Sequence, residues 1–197
     1  MEAAEKLFAE QGYAATSVAQ IAEAAQANRA LLYYYFRDKR DLYWAITRRG
    51  LDEILNLITA VSGAPGSPWE RLERFVRSYY ELLLGRHNMA RMVFRELMVG
   101  SDQLGLPIDH HARESLAQVR RMLQDGLRGG AFTDLDPELT AFSLFGMIHA
   151  FFMQRLATGR SFPSDVVVAH TMALLRHGAQ SPSARSSLSQ RDAKGKA

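Results

Sequence analysis

The chain has 197 residues, 47% of them hydrophobic, with a formal net charge of +3 and no cysteine. That length allows one or two domains with a sizeable core, and the missing thiols exclude disulfides, cysteine-ligated zinc and thiol redox sensing. No stretch approaches the roughly 18 uninterrupted apolar residues of a membrane span, and the charged, amphipathic start MEAAEKLFAEQG is no signal peptide, so a cytoplasmic protein with no membrane partner is expected.

Residues 2–11 read as a first helix, with Ala4, Leu7, Phe8 and Gln11 on one face. Gly12 fits the C′ position that ends it, and Tyr13-Ala14-Ala15 is a connector. A second helix starts at Thr16 or Ser17, since Ser17 followed by Gln20 fits a capping box. Val18, Ile21, Ala22 and Ala25 recur at i, i+3, i+4 and i+7, an apolar stripe for the core side. Ala24 to Asn28 form a turn, and Asn28 is a plausible N-cap for a third helix. On that helix Leu31, Leu32, Tyr35 and Phe36 are expected to face inward. Arg29, Ala30, Tyr33 and Tyr34 are left facing out. Such a set does nothing for a core and suits the DNA major groove. Arg reaches guanine acceptors, small apolar groups touch a thymine methyl, and Tyr hydroxyls bond phosphate.

The net charge of +3 does not itself suggest nucleic acid, but its distribution does. Between residues 28 and 50, six cations (Arg29, Arg37, Lys39, Arg40, Arg48, Arg49) face only Asp38 and Asp41. An ordinary solvated helix face would also carry such charges. Their place beside exposed tyrosines favours a phosphate-facing patch.

A fourth helix is expected from near Lys39 to about Val61, with Leu42, Ile46, Ile54, Ile58 and Val61 in phase. Tyr43 and Trp44 are assigned to packing against the first helix. The stretch from Ser62 to Pro68 is the clearest break and reads as a loop. Trp69, Leu72, Val76, Tyr79 and Leu83 mark a fifth helix ending near Gly85; Met89, Met92, Val93 and Leu97 mark a sixth ending near Gly100. A seventh covers about 108–128. Asp134 or Asp136 caps an eighth over 137–158, with Pro137 at N1. That helix is apolar on several sides and must be buried on several sides, one of them against another subunit. Val166–His177 form a ninth. The Ser-, Ala- and Lys-rich residues 181–197 are expected to be a disordered tail.

The fold class is therefore all-α, with about nine helices. The residues Phe8, Gly12, Thr16, Ile21, Ala22, Ala25, then Leu32-Tyr33-Tyr34-Tyr35-Phe36 and Lys39 resemble the helix-turn-helix of the TetR family of bacterial repressors. The close match covers about the first quarter of the chain; beyond it the resemblance lies in helical content and length. Family members usually carry a basic extension and a further turn before the Glu-Ala-Ala-Glu segment. Two readings follow: a truncated start, or a protein without an N-terminal arm. The resemblance implies a three-helix DNA-binding domain over residues 1–45 and a helical ligand-binding and dimerisation domain over 46–180.

For DNA, Arg29, Ala30 and Tyr33 are expected at base edges and Thr16, Ser17, Tyr34 and Lys39 at phosphates, with Gln26 and Asn28 secondary. For a ligand cavity, which the resemblance implies, the candidates are Tyr79, Tyr80, Met89, Met92, Phe94, Met98, Phe145, His149 and Phe152. Met and aromatic residues at helical spacing are individually more often plain core; together they suggest an adaptable apolar site. The dimer interface is assigned to Phe142, Phe151, Leu156, Val167, His170 and Leu174. His110 and Glu114 share a face, but two ligands make no metal site without a third. No catalytic motif or nucleophile–base pair is found, so no enzyme activity, metal or cofactor is expected. The expected partners are a palindromic DNA operator, a second copy of the chain as homodimer, and an apolar small-molecule effector. The rival reading is a small-molecule binding or scavenging protein whose DNA-binding unit is vestigial.

Overall fold

A computed structural model describes residues 1–99 and 109–177, with the side chains at 97–99, 109 and 177 outside the description. The described residues are all-helical, in nine elements. These are α1 (Glu2–Ala15), α2 (Val18–Ala24), α3 (Arg29–Tyr35), α4 (Lys39–Ser62), α5 (Pro68–Gly85), α6 (His87–Val99), α7 (Asp109–Arg128), α8 (Pro137–Thr158) and α9 (Ser164–His177). The expected tail, 181–197, lies outside the described residues.

Local chemistry explains most boundaries. Ser17 with Gln20 and Ser67 with Glu70 close reciprocal capping boxes, each satisfying two orphan donors. Asp38 and Asp136 accept from the first turns of α4 and α8. Pro68 and Pro137 sit where a missing N–H costs nothing. Helix α9 starts two residues before the expected Val166, at Ser164.

Helix α1 is interrupted at Gly12, its expected end, and the expected connector Tyr13-Ala14-Ala15 is helical instead. The Gly12 φ of 84° is left-handed and tolerable for glycine. The break turns the Phe8 and Ala9 carbonyls toward α6. There Arg95 donates to both, at 3.2 and 3.1 Å. A Cβ on Gly12 would stand 3.0 Å from the Arg95 guanidinium.

Helix α4 is the spine. It packs on α1 at one end and on α5, α6 and α7 along its length, while α8 packs on α7 and α5, and α9 on α5 and α8. One continuous apolar core runs from Ala4 and Phe8 to Val168 and Met172. Phe8, Tyr13 and Tyr43 form an edge-to-face cluster where α1 meets α4, as expected for Tyr43.

Candidate DNA-reading head and effector cavity

The turn between α2 and α3 is a Schellman motif. The Gln26 N–H donates to the Glu23 carbonyl and the Ala27 N–H to the Ala22 carbonyl, the 5→2 and 6→1 bonds of that motif. Gln26 takes the left-handed position, at φ 49°, where glycine is usual. Asn28 then caps α3 by accepting from the Ala30 N–H at 2.9 Å.

Helix α3 has no buried residue. Its contacts with the frame fall to Leu32 and Phe36, which pack on the core edge. Arg29, Ala30, Tyr33 and Tyr34 are exposed as expected, Tyr34 at 80%. Leu31 and Tyr35, expected to face inward, are also outside, at 49% and 67% exposed. A helix of two turns anchored by Leu32 and Phe36 alone cannot also turn their neighbours inward. The Tyr35 ring instead meets Tyr34 edge to face. The result is an exposed ridge carrying one guanidinium, three phenols and small apolar groups, and Arg29 makes no ion pair among the described residues.

Two of the expected phosphate contacts are placed otherwise. Thr16 is 1% exposed. Its hydroxyl donates to the Gly12 carbonyl at 2.7 Å, with Leu7 O at 3.3 Å, so it closes the carbonyls the Gly12 break leaves open. The Lys39 ammonium donates to the Tyr13 and Thr16 carbonyls at 2.8 and 2.9 Å, over the Tyr13 ring. It ties the start of α4 to the α1–α2 connector. Ser17, Gln26 and Asn28 remain exposed.

The rest of the basic patch is partly neutralised. Arg48 pairs with Asp52, and Arg49 with Glu5 and Glu53. Arg37, on the α3 side, stays open to solvent despite Asp41 at 3.6 Å. Positive charge is therefore left near α3, while the body side is balanced.

Between α4, α5, α6, α7 and α8 lies an apolar cavity of about 360 Å³, within the range of ordinary ligand sites. Tyr79, Phe145 and His149 line it as expected. Phe94 and Phe152 line a small pocket that shares Tyr79 and His149 with it. Tyr80, Met89 and Met92 do not line it. Tyr80 donates to the Phe162 carbonyl, while Met89 fills the space over Gly50 and Met92 is fully buried. Their helical phase puts them toward other packing faces. Met98 falls outside the described side chains. Leu51, Ile54, Val93, Ala112, Ser115 and Leu116 also line the cavity, with Arg113, Phe142 and Gly146. Leu51, Ile54 and Val93 carried only ordinary core phase, so nothing in the sequence set them apart.

Burial pushes the Tyr79 phenol up and pulls His149 down to about 4. The two share a hydrogen bond of 2.8 Å. No group of three or more metal-ligating side chains occurs among the described residues, and none of their helices is long and apolar enough to cross a membrane.

This arrangement matches known proteins along its length. Residues 1–46 match the model for bacterial regulatory proteins of the tetR family, and residues 65–177 match a tetracyclin repressor-like C-terminal domain. The chain belongs to the tetR family. It is similar to the HTH-type transcriptional regulator YhgD of Bacillus subtilis, 29% identical over 72% of this chain and 74% of that one. It is also similar to the fatty acid metabolism regulator protein of that organism, 25% identical over 75% and 77% of the two chains. A crystal structure of the regulator FadR from Bacillus subtilis, in complex with stearoyl-CoA, superposes with a TM-score of 0.78. It covers 91% of this chain and 97% of that chain at 22% identity, which establishes the shared fold.

As a tetR-family member the chain is a DNA-binding transcriptional regulator that works as a dimer with a ligand-binding helical domain. The structure revises the residues available for that dimer. Val167 is 1% exposed and buried within the protomer, because α9 turns that face onto α5. Phe151 is part-buried, packed against Tyr80, Phe162 and His170, and Leu156 is also part-buried. Phe142, His170 and Leu174 are exposed, and so are Leu139, Met153 and Val166. Phe142 is both 59% exposed and on the cavity wall. The helix expected to be apolar all round is thus buried through Ala141, Leu144, Ile148 and Phe152 and leaves apolar side chains outside.

Proposed function

We propose that the chain is a repressor that reads a palindromic operator with the α3 ridge and is released by an acyl thioester held in the cavity. The observation that carries the DNA half is α3 itself, a helix with no buried residue on a frame tied by Lys39, Thr16 and Arg95. The base-edge role is assigned to Arg29, Ala30 and Tyr33, with phosphate contacts from Ser17, Tyr34 and the turn residues Gln26 and Asn28. In a dimer the two ridges would enter successive major grooves about 34–36 Å apart, or a multiple of that. Exposed Phe142, Met153, Val166 and Leu174 supply the apolar face that a second copy would cover.

The effector half rests on an apolar cavity with exposed Arg113 on its wall, and on relatives named for fatty acid metabolism or holding an acyl-CoA. A thioester brings an apolar chain for the cavity and an anionic carrier for a cation. Helices α4 and α6 both line the cavity and both grip the head, through Tyr43–Glu96 and the Arg95 clamp. Ligand binding that changes their spacing would move the heads out of register, with a coupling of about 1–3 kcal/mol. On this reading residues 1–45 serve DNA and 46–180 serve effector and dimer, in the cytoplasm and without catalysis.

The test is fluorescence anisotropy on duplexes from upstream of the chain's own gene. Binding should be specific, fall steeply with salt, and be reversed by decanoyl-CoA but not by free coenzyme A. Tight binding of decanoyl-CoA by a protein with no preference among duplexes would replace this reading with the scavenging one.

A further inference from the structure

The Tyr79–His149 pair is the polar feature that an apolar cavity does not require for packing. Tyr79 on α5 and His149 on α8 lie at hydrogen-bond distance, 2.8 Å, and both line the cavity. Around them stand Phe75, Phe94 and Phe145 in ring contact. A neutral imidazole carries one N–H and a phenol one O–H. Their mutual bond uses one of these two donors, whichever tautomer is present, and no other bond to either side chain occurs among the described residues. One donor is therefore left over. Burial keeps both groups uncharged: His149 is drawn down to about 4 and Tyr79 is raised. The remaining polar side chains on the wall are Ser115, which is buried, and Arg113, which is exposed.

We infer that Tyr79 and His149 form the reading element of the effector cavity, donating one hydrogen bond to a neutral carbonyl oxygen carried by an otherwise apolar ligand. The inference rests on the effector reading of the cavity and deepens it, because it names the functional group that is recognised. A carboxylate fits the pair poorly, since neither partner offers a positive charge to offset its desolvation. A pure hydrocarbon leaves the donor unpaired, and a buried unpaired donor carries a real cost.

Two matched pairs of probes test this by calorimetry on the full-length protein. One pair is decanoyl-CoA and its thioether S-decyl-CoA, which lacks the carbonyl. The other is 2-nonanone and its alkene isostere 2-methyl-1-nonene, equal in heavy atoms, without an acceptor oxygen and free of coenzyme A. The carbonyl member of each pair should bind at least about fivefold tighter, the worth of one net hydrogen bond. Tyr79→Phe and His149→Phe combined should erase that preference, because either change alone leaves the other side chain's donor in place. The infrared carbonyl stretch of bound 2-nonanone should move to lower frequency in the wild type and return in the double variant. Should the double variant fail to fold, the wild-type spectrum still decides, since an unshifted stretch overturns the inference.

Equal binding within both pairs overturns the inference and leaves the acyl-CoA reading intact. A carbonyl preference that survives the double substitution overturns it too, making the pair structural. If neither CoA compound binds but 2-nonanone is preferred to the alkene, the pair stands as a carbonyl reader and the acyl-CoA reading falls.

Discussion

At Gly50 side chains of α6 press on the backbone of α4, so Gly50→Ala is a sharp probe of how tightly the two are set. A Cβ built there stands 2.4 Å from Met89 Cγ and 2.6 Å from Met89 Sδ, about 1 Å inside ordinary contact. Two effects oppose each other. Alanine in mid-helix gains about 1 kcal/mol over glycine. Overpacking costs about 1–3 kcal/mol. Methionine is flexible, but Met89 is 1% exposed and has little space to move into. Overpacking should win, with a net loss of about 1 kcal/mol and a Tm lower by about 2–4 °C for a chain of this size. Urea and thermal unfolding at one fixed protein concentration measure it, because a dimer's stability depends on concentration. The mechanism is checked by a double-mutant cycle with Met89→Ala. Met89→Ala alone should cost about 2–5 kcal/mol, and the pair should cost at least about 1 kcal/mol less than the two changes added. A higher Tm for Gly50→Ala, or strict additivity in the cycle, would refute the close approach.

Three further outcomes follow from particular contacts. Gln26→Gly removes a side chain from a left-handed turn position and should stabilise the protein by about 0.5–1 kcal/mol, read by urea unfolding. If the exposed Gln26 side chain also touches DNA, operator affinity falls as stability rises. Lys39→Met keeps the aliphatic stem but loses two charge-assisted bonds to carbonyls, so it should cost about 1–3 kcal/mol of stability; a lysine serving phosphate alone would leave the melt unchanged. His149 is held at about 4 in the folded chain against 6.5 unfolded. As pH falls below 6.5 the unfolded state takes up a proton that the folded state refuses. Stability should therefore drop between pH 6.5 and 4, by about 2 kcal/mol after allowance for water in the open cavity, and His149→Gln should flatten that part of the profile.

Much of the fold was legible because its signals are local. Ser17 with Gln20, Asn28, Pro68 and Asp136 with Pro137 are chemical punctuation, and each stands where the structure starts a helix. The outward set on α3 was readable for the same reason. Side-chain direction around short helices was not. Whether Leu31 and Tyr35 point in or out depends on where α2 and α4 stand. Thr16 and Lys39 were read by residue type, as a hydroxyl and a cation near DNA. Thr16 serves a carbonyl left open at the Gly12 break and Lys39 serves two in the α1–α2 connector, and only tertiary placement shows it. The cavity was the least legible part. Its walls use the same Leu, Ile, Val and Phe phases as the core, so Met89 and Met92 could not be told from Val93 by pattern. His149 was the exception, since a histidine in an apolar helix signals a partner, here Tyr79.

The central claim is that α3 gives this chain sequence-specific, two-fold DNA reading. A selection from random duplexes with the intact protein, followed by anisotropy on the enriched sites for wild type and Arg29→Ala, tests it most directly. The account predicts an enriched palindrome bound as a dimer and a loss of about 1–3 kcal/mol of discrimination at particular base pairs on Arg29→Ala. An enriched pool without symmetry, or an Arg29→Ala variant weakened equally on every sequence, would contradict it.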